Sequence, residues 1–358
     1  MRYSFSILLA LCSIHAVAQS DSTASPLAFS GYAEVYYAFD FGNPDDHNRP
    51  GFVYANNRHN EVALNLGLLK AAYHTEKVRA NLGLMAGTYA NANLAAEPGV
   101  LKNIFEANIG VRLSSSKNLW IDAGIFPAHI GFESAIGKDC PTLTRSMAAD
   151  NSPYYESGVK ISYTSGNGKW FLSALALNGW QRIKTVEGNS LPSFGTQITF
   201  KPGANVTLNS STFVGTDKPD DQRRMRYFHN FYAIFNLGEK LAATAGFDFG
   251  AEQTAKGSKE YNYWYSPVLM LKVATSEKMT VAVRGEYYAD ENGVIIATGS
   301  PNGFQVLGIS ANLDYAVQPN ALWRIEGKIY SSKDDIFALG DKPSGQNYLL
   351  TTALTLAF

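Results

Sequence analysis

The chain has 358 residues, with 30 Lys+Arg against 31 Asp+Glu and a formal net charge of -1. That balance gives no support for a nucleic-acid partner or an acidic disordered chain. Charged residues make up only 17%, yet mean hydropathy is -0.13, so 20 Tyr, 20 Phe and 31 Gly do not add up to a helical membrane bundle, a coiled coil or a disulfide scaffold.

Residues 1–18 read as a signal peptide. Arg2 supplies the positive end, Ile7 to Leu11 an apolar run too short to span a bilayer, and Ala16-Val17-Ala18 a small-x-small cleavage site before Gln19. Cys12 raises a lipoprotein alternative, but Leu11 stands where such a site needs a small residue. Cleavage removes Cys12 and Arg2, leaving Cys140 as the one thiol, no internal disulfide, and 29 basic against 31 acidic residues. Residues 19–27 are expected to form a short periplasmic segment, and 28–358 a membrane barrel.

From residue 28 onward the recurring signal is period-two alternation. Phe105, Ala107, Ile109, Val111 and Leu113 alternate with Glu106, Asn108, Gly110 and Arg112. Leu241, Ala243, Ala245, Phe247 and Phe249 alternate with Thr244, Asp248 and Gly250. Val281, Val283 and Tyr287 alternate with Arg284, Glu286 and Tyr288; Trp323, Ile325 and Ile329 alternate with Arg324, Glu326 and Lys328. Seven short turn clusters (Thr75 to Lys77, Ser114 to Asn118, Ser165 to Gly168, Lys201 to Asn205, Leu237 to Lys240, Thr275 to Lys278, Val317 to Asn320) alternate with eight longer polar stretches. Those stretches are 40–59, 90–102, 129–154, 180–193, 217–226, 252–260, 290–303 and 332–346. Such connections join about sixteen antiparallel strands with both termini at the short-turn end. This is the pattern of an all-β transmembrane barrel with short periplasmic turns and long extracellular loops. The final strand, Tyr348 to Phe358, keeps the alternation and ends on an aromatic residue, like the assembly signal of outer-membrane barrels.

If apolar positions face lipid, the inward ionisable residues are Glu34, Glu61, Arg79, Glu106, Arg112, Asp122, Glu156, Lys160, Asp248, Lys272, Arg284, Glu286, Asp314, Arg324, Glu326 and Lys328. Nine acids and seven bases predict a hydrated lumen with weak charge selectivity. The longest connection, 129–154, carries Glu133, Asp139, Arg145 and Asp150 and is expected to fold inward, with its acids facing bases of the wall or loop such as Arg145. Those four, with Glu106, Arg112, Arg284, Glu286, Arg324, Glu326 and Lys328, are the candidate pore-lining or constriction residues. Tyr36, Tyr37, Trp120, Trp170, Tyr261, Tyr263, Trp264, Tyr265, Tyr287, Trp323 and Tyr330 are expected in interfacial girdles, although some could line a sugar path. Arg223-Arg224-Met225-Arg226 reads as an outer-loop basic cluster facing anionic solutes or lipopolysaccharide, or as a solvated mixed-charge loop.

Catalytic chemistry has little support. Gly131 to Asp139 nearly spells a phosphate loop, but it has one residue too many and lacks the Ser or Thr after Lys138. No His pair has metal-ligand spacing, and no nucleophile elbow is visible. No catalytic residue, metal or cofactor is therefore assigned.

The segment Ala123-Gly124-Ile125-Phe126-Pro127-Ala128-His129-Ile130-Gly131-Phe132-Glu133 resembles an element of the OmpL-like β-barrel porin family. So do Thr144-Arg145-Ser146-Met147, Ser152 to Tyr163 and Asn178-Gly179-Trp180, so the specific likeness covers about 123–180. The resemblance implies a Gram-negative outer-membrane porin without a catalytic site. The combined expectation is a passive, water-filled channel for small hydrophilic solutes and ions. Its partners would be the lipid bilayer, lipopolysaccharide and those solutes, with a possible homotrimer by analogy. A substrate-specific anion or oligosaccharide channel, a barrel enzyme and an adhesin are the rivals.

Overall fold

The computed structural model describes residues 25–358; the expected signal peptide and residues 19–24 lie outside the described residues. Among the described residues, sixteen antiparallel strands close a barrel. They are β1 (Leu27–Asp40), β2 (Val62–His74), β3 (Val78–Ala86), β4 (Ile104–Arg112), β5 (Asn118–Pro127), β6 (Tyr155–Thr164), β7 (Trp170–Leu177) and β8 (Ser193–Gly203). The circuit continues through β9 (Val206–Gly215), β10 (Arg226–Asn236), β11 (Leu241–Gln253), β12 (Tyr261–Ala274), β13 (Met279–Asp290), β14 (Phe304–Gln318) and β15 (Ala321–Ser332). A small hairpin, β16 (Phe337–Leu339) and β17 (Lys342–Ser344), interrupts the last long connection before β18 (Gln346–Ala357) returns to β1. The seven turns and eight loops fall where the sequence alternation puts them. Tyr36 opposite Ala353 and Tyr32 opposite Ala357 set the closing register.

Each strand has two unlike faces. Ile309, Leu269 and Leu354 are 57%, 55% and 55% exposed, far too much apolar area for a water-facing wall, so the outer face is built for hydrocarbon. The opposite face buries Glu34, Asp248, Arg284, Glu286, Arg324, Glu326 and Lys328 inside the barrel.

Three expectations need correcting. Four girdle candidates point inward: Tyr36, Trp120, Trp264 and Tyr330 are buried. Their strand parity, shared with Glu34, Asp122, Ser266 and Lys328, assigns them to the lumen. Glu61 is not on the lumen wall either. It precedes β2, and Arg58 Nε captures its carboxylate at 2.7 Å. Arg226, expected in an outer loop, is the first residue of β10 and faces inward, where Glu252 accepts from it.

The inward tryptophan depends on a glycine. Gly250 and Trp264 are cross-strand partners, and a Cβ at Gly250 would lie 2.0 Å from the indole. Phe228 stacks on that indole, which is fully buried and has nowhere to go. Gly327, on the outer face of β15, has nothing within 4 Å. Gly250→Ala is therefore expected to destabilise the barrel by about 1–3 kcal/mol through overpacking. Gly327→Ala should be neutral. Denaturant unfolding of both variants in detergent checks the contrast.

Candidate functional site

The connection between β5 and β6 does not leave the barrel. It crosses the lumen and touches most of the far wall. Its entry is fixed at His129. Nδ1 lies 2.8 Å from Glu156 Oε2 and Nε2 lies 2.8 Å from the Thr212 carbonyl. Both partners accept, so both ring nitrogens carry hydrogen and the ring is an imidazolium. Burial opposes that charge, and the Glu156 carboxylate outweighs it, raising the His129 pKa. Ser211 Oγ donates to the His129 carbonyl, Gly131 N donates to Asn230, and the Phe132 ring lies over Gly246 of β11.

The loop then reaches β1. A Cβ at Gly137 would meet the Glu34 carboxylate at 2.0 Å, so glycine permits this approach. A 3-10 turn (Gly137–Asp139) follows, then a one-turn helix (Met147–Asp150), whose N-cap Ser146 accepts from Ala149 N at 3.1 Å. The helix returns the chain toward β6.

Three cations of the wall grip the loop by its main chain. Arg284 donates to the Thr144 carbonyl at 2.7 Å, to the Thr142 and Thr144 hydroxyls, and to Glu326 at 2.9 Å. Arg324 makes a bidentate pair with Asp314, at 2.7 and 3.0 Å, and donates to the carbonyls of Gly137 and Cys140. Lys328 bridges Glu286 at 2.8 Å and the Arg145 carbonyl at 3.2 Å. Wall acceptors take the loop's amides in return: Asn312 from Leu143, Glu326 from Thr144, and Glu286 from Met147. Within the loop, Arg145 donates to the carbonyls of Ser134, Ala135 and Leu143, and Glu133 accepts from Ser146 and faces Arg284 at 3.8 Å. Four acids (Glu133, Glu286, Asp314, Glu326) and four bases (Arg145, Arg284, Arg324, Lys328) thus form a balanced, buried cluster.

Of the predicted residues, Glu133, Arg145, Arg284, Glu286, Arg324, Glu326 and Lys328 come together here. Asp150 is adjacent but accepts from the amides of Tyr54 and Ala55 in the first long loop, at 3.3 and 3.4 Å. Asp139 is not in the cluster; its half-exposed carboxylate meets Lys138 at 2.9 Å. Glu106 pairs with Lys70 at 2.5 Å, and Arg112 lies 3.8 Å from Glu76 near a short turn, both away from the loop.

Two cavities flank the crossing, one toward each end of the barrel. At the long-loop end, about 380 Å³ is lined by Asp150, Tyr155, Trp180, Arg182, Lys218 and Arg226, among others. At the short-turn end, about 270 Å³ is lined by Arg79, Glu106, Trp120, Asp122 and Lys160, among others. Sequence reasoning did not single out Arg182, Lys218 or Tyr54. Their loops carry no periodicity, and only the fold aims them at a common space.

Removing one member of a buried ion cluster leaves the others uncompensated, at a cost of about 3–5 kcal/mol. Arg284→Met is therefore expected to undock the loop while the barrel persists. Amide hydrogen exchange should then speed up at Leu143 to Met147 and stay unchanged in β4 and β5.

Titration gives a second expectation. Burial pushes Asp150 up to about 6 and raises Glu133 as well. Groups raised on docking, His129 included, stabilise the docked loop fully below their free values and lose that contribution as pH rises through the raised ones. The docked loop should loosen between about pH 5 and pH 7, seen as exchange faster than the intrinsic pH dependence. Asp150→Asn should flatten the step.

The chain matches the family described as "Putative beta-barrel porin-2, OmpL-like" over residues 26–358. No curated protein sequence matches it. Among solved structures it is similar to an anion-selective porin from Comamonas acidovorans, at 8% identity and a TM-score of 0.62, covering 93% of this chain and 99% of that one. It is also similar to the trimer form of OmpT, an outer membrane protein of Vibrio cholerae, at 8% identity and a TM-score of 0.60, again covering 93% and 99%. At such identities the likeness establishes the fold, and the family match establishes the kinship: the chain belongs to the OmpL-like β-barrel porins.

Proposed function

We propose that this porin is a passive outer-membrane channel for small hydrophilic solutes and ions, with the 129–154 loop as its constriction. The observation that carries the reading is the loop's course. It is docked across the lumen and leaves a polar cavity toward each end of the barrel. Solutes pass between the loop and the wall. Glu133, Arg145, Arg284, Glu286, Arg324, Glu326 and Lys328 set the constriction by fixing the loop, while Glu106 and Asp150 border the path. Asp139 and Arg112 contribute at the surface and near a short turn.

Weak charge selectivity follows from the lining. Arg182, Lys218 and Arg226 stand against Asp150, Asp217 and Glu252 at one end, and Arg79 and Lys160 against Glu106 and Asp122 at the other. The proposal includes export through cleavage after Ala18, long loops outside, a non-enzymatic role, and a homotrimer like the trimer form of OmpT. Arg223 and Arg224, in the connection before β10, are suited to lipopolysaccharide phosphates.

Single-channel recording in a planar bilayer under a salt gradient tests this. Discrete openings with a small reversal potential are expected, and deletion of 134–148 should enlarge the unit conductance severalfold. An unchanged conductance after the deletion overturns the constriction, and strong selectivity for one ion sign overturns the mixed lining.

A further inference from the structure

The cavity at the long-loop end has a chemical asymmetry that passive diffusion does not require. We propose that it is a binding subsite for small amphipathic carboxylates, a reading that rests on the channel function and names a solute class for it.

The cations of the lining come from neighbouring elements. Arg182 lies in the connection after β7, Lys218 in the connection after β9, and Arg226 opens β10. Glu252 accepts from Nε and Nη2 of Arg226, at 2.9 and 2.6 Å, which leaves Nη1 over. The same guanidinium lies 5.2 Å from the Trp180 ring and 5.8 Å from the Trp264 ring, which fixes its plane. Arg182 has only a distant partner, with Nε 3.8 Å from Asp217. The ammonium of Lys218 is exposed and has no partner among the described residues. Donors with positive charge are therefore left over.

The acids of the cavity are not left over in the same way. Glu252 is taken by Arg226, Asp217 accepts from the Trp180 amide at 3.0 Å, and Asp150 accepts from two amides of the first loop. The amide side chains that could read a sugar are also engaged. Asn151 donates to the carbonyls of Phe52 and Met147, Gln181 donates to the Asn93 carbonyl and accepts from Tyr154 N, and Asn93 donates to the Tyr89 carbonyl.

Apolar residues complete the lining: Ala92, Ala95 and Ala96 come from the connection after β3, and Val294 and Ile295 from the connection after β13. A ligand that matches both kinds of lining carries one carboxylate and a compact hydrocarbon or aryl body. About 380 Å³ accommodates an aryl carboxylate with its first waters. The carboxylate meets Arg182, Lys218 and Nη1 of Arg226, and the body lies along the alanines and Ile295.

The test uses benzoate, benzamide and benzylamine on the full mature protein. One arm is block of channel current in a bilayer, and the other is calorimetric binding in detergent. Benzoate is expected to block saturably at a concentration at least tenfold lower than benzamide, with benzylamine inactive. Arg182→Gln with Lys218→Gln should raise the half-blocking concentration of benzoate at least tenfold, while Lys256→Gln with Lys259→Gln, the same loss of two positive charges in the exposed loop after β11, leaves it unchanged. Heat-modifiable gel migration matching the parent establishes that the double variant is folded. Equal block by benzamide, or block unaffected by the double variant, overturns the subsite. Conductance without benzoate binding also overturns the subsite and leaves the channel standing; binding without conductance overturns the channel and leaves the subsite.

Discussion

A strand-to-strand connection placed inside a barrel must find partners for its own backbone, because carbonyls and amides removed from water cost free energy until they are bonded. This constraint governs the rest of the structure. The loop between β5 and β6 has little regular structure to satisfy itself: a 3-10 turn and one turn of helix. The wall supplies the remainder. Arg284, Arg324 and Lys328 each divide their donors between a wall carboxylate and loop carbonyls, so each of these three charges is both neutralised and used as a tether. The carboxylates of Glu286 and Glu326 do the same for loop amides.

The barrel makes this possible because its two strand faces are independent. Trp323, Ile325 and Ile329 meet hydrocarbon while Arg324, Glu326 and Lys328, on the same strand, meet the loop. Register adds the rest. Asp314 stands beside Arg324 and Asn312 beside Glu326, so β14 and β15 present a prepared row of donors and acceptors. Gly308, opposite Glu286, leaves room for that side chain to lie across its neighbour.

The fold was legible because alternation is local. Strand number, turn positions and the inward set on β13 and β15 all follow from a period of two and from the spacing of turn residues. The inward course of the longest loop was also anticipated. The sequence did not disclose partnership. Asp139 and Asp150 look equivalent along the chain, yet one meets Lys138 near the surface and the other is buried under Tyr54, 96 residues away. Tyr and Trp near strand ends were ambiguous for a related reason. An aromatic side chain suits both a membrane interface and a packed lumen, and only parity against neighbouring residues separates Trp264 from Tyr263. Most of the lining of the cavity at the long-loop end was illegible: Asp150 and Arg226 stood out in the sequence, but much of the rest is assembled from connections that follow β1, β3, β7, β9 and β13.

The wall holds the loop largely by carbonyls at Gly137, Cys140, Thr144 and Arg145, and most residue types at these positions present the same oxygen. Gly137 is constrained by its approach to Glu34, the Arg145 guanidinium braces the loop on itself, and the Thr142 and Thr144 hydroxyls add to the grip, but many other side chains of the segment carry no tether. The lineage can therefore exchange what the loop shows to solutes without renegotiating how the loop is held. Permeability becomes an evolvable trait that drifts separately from foldability, because inheritance of the barrel and inheritance of the passage are written in different atoms.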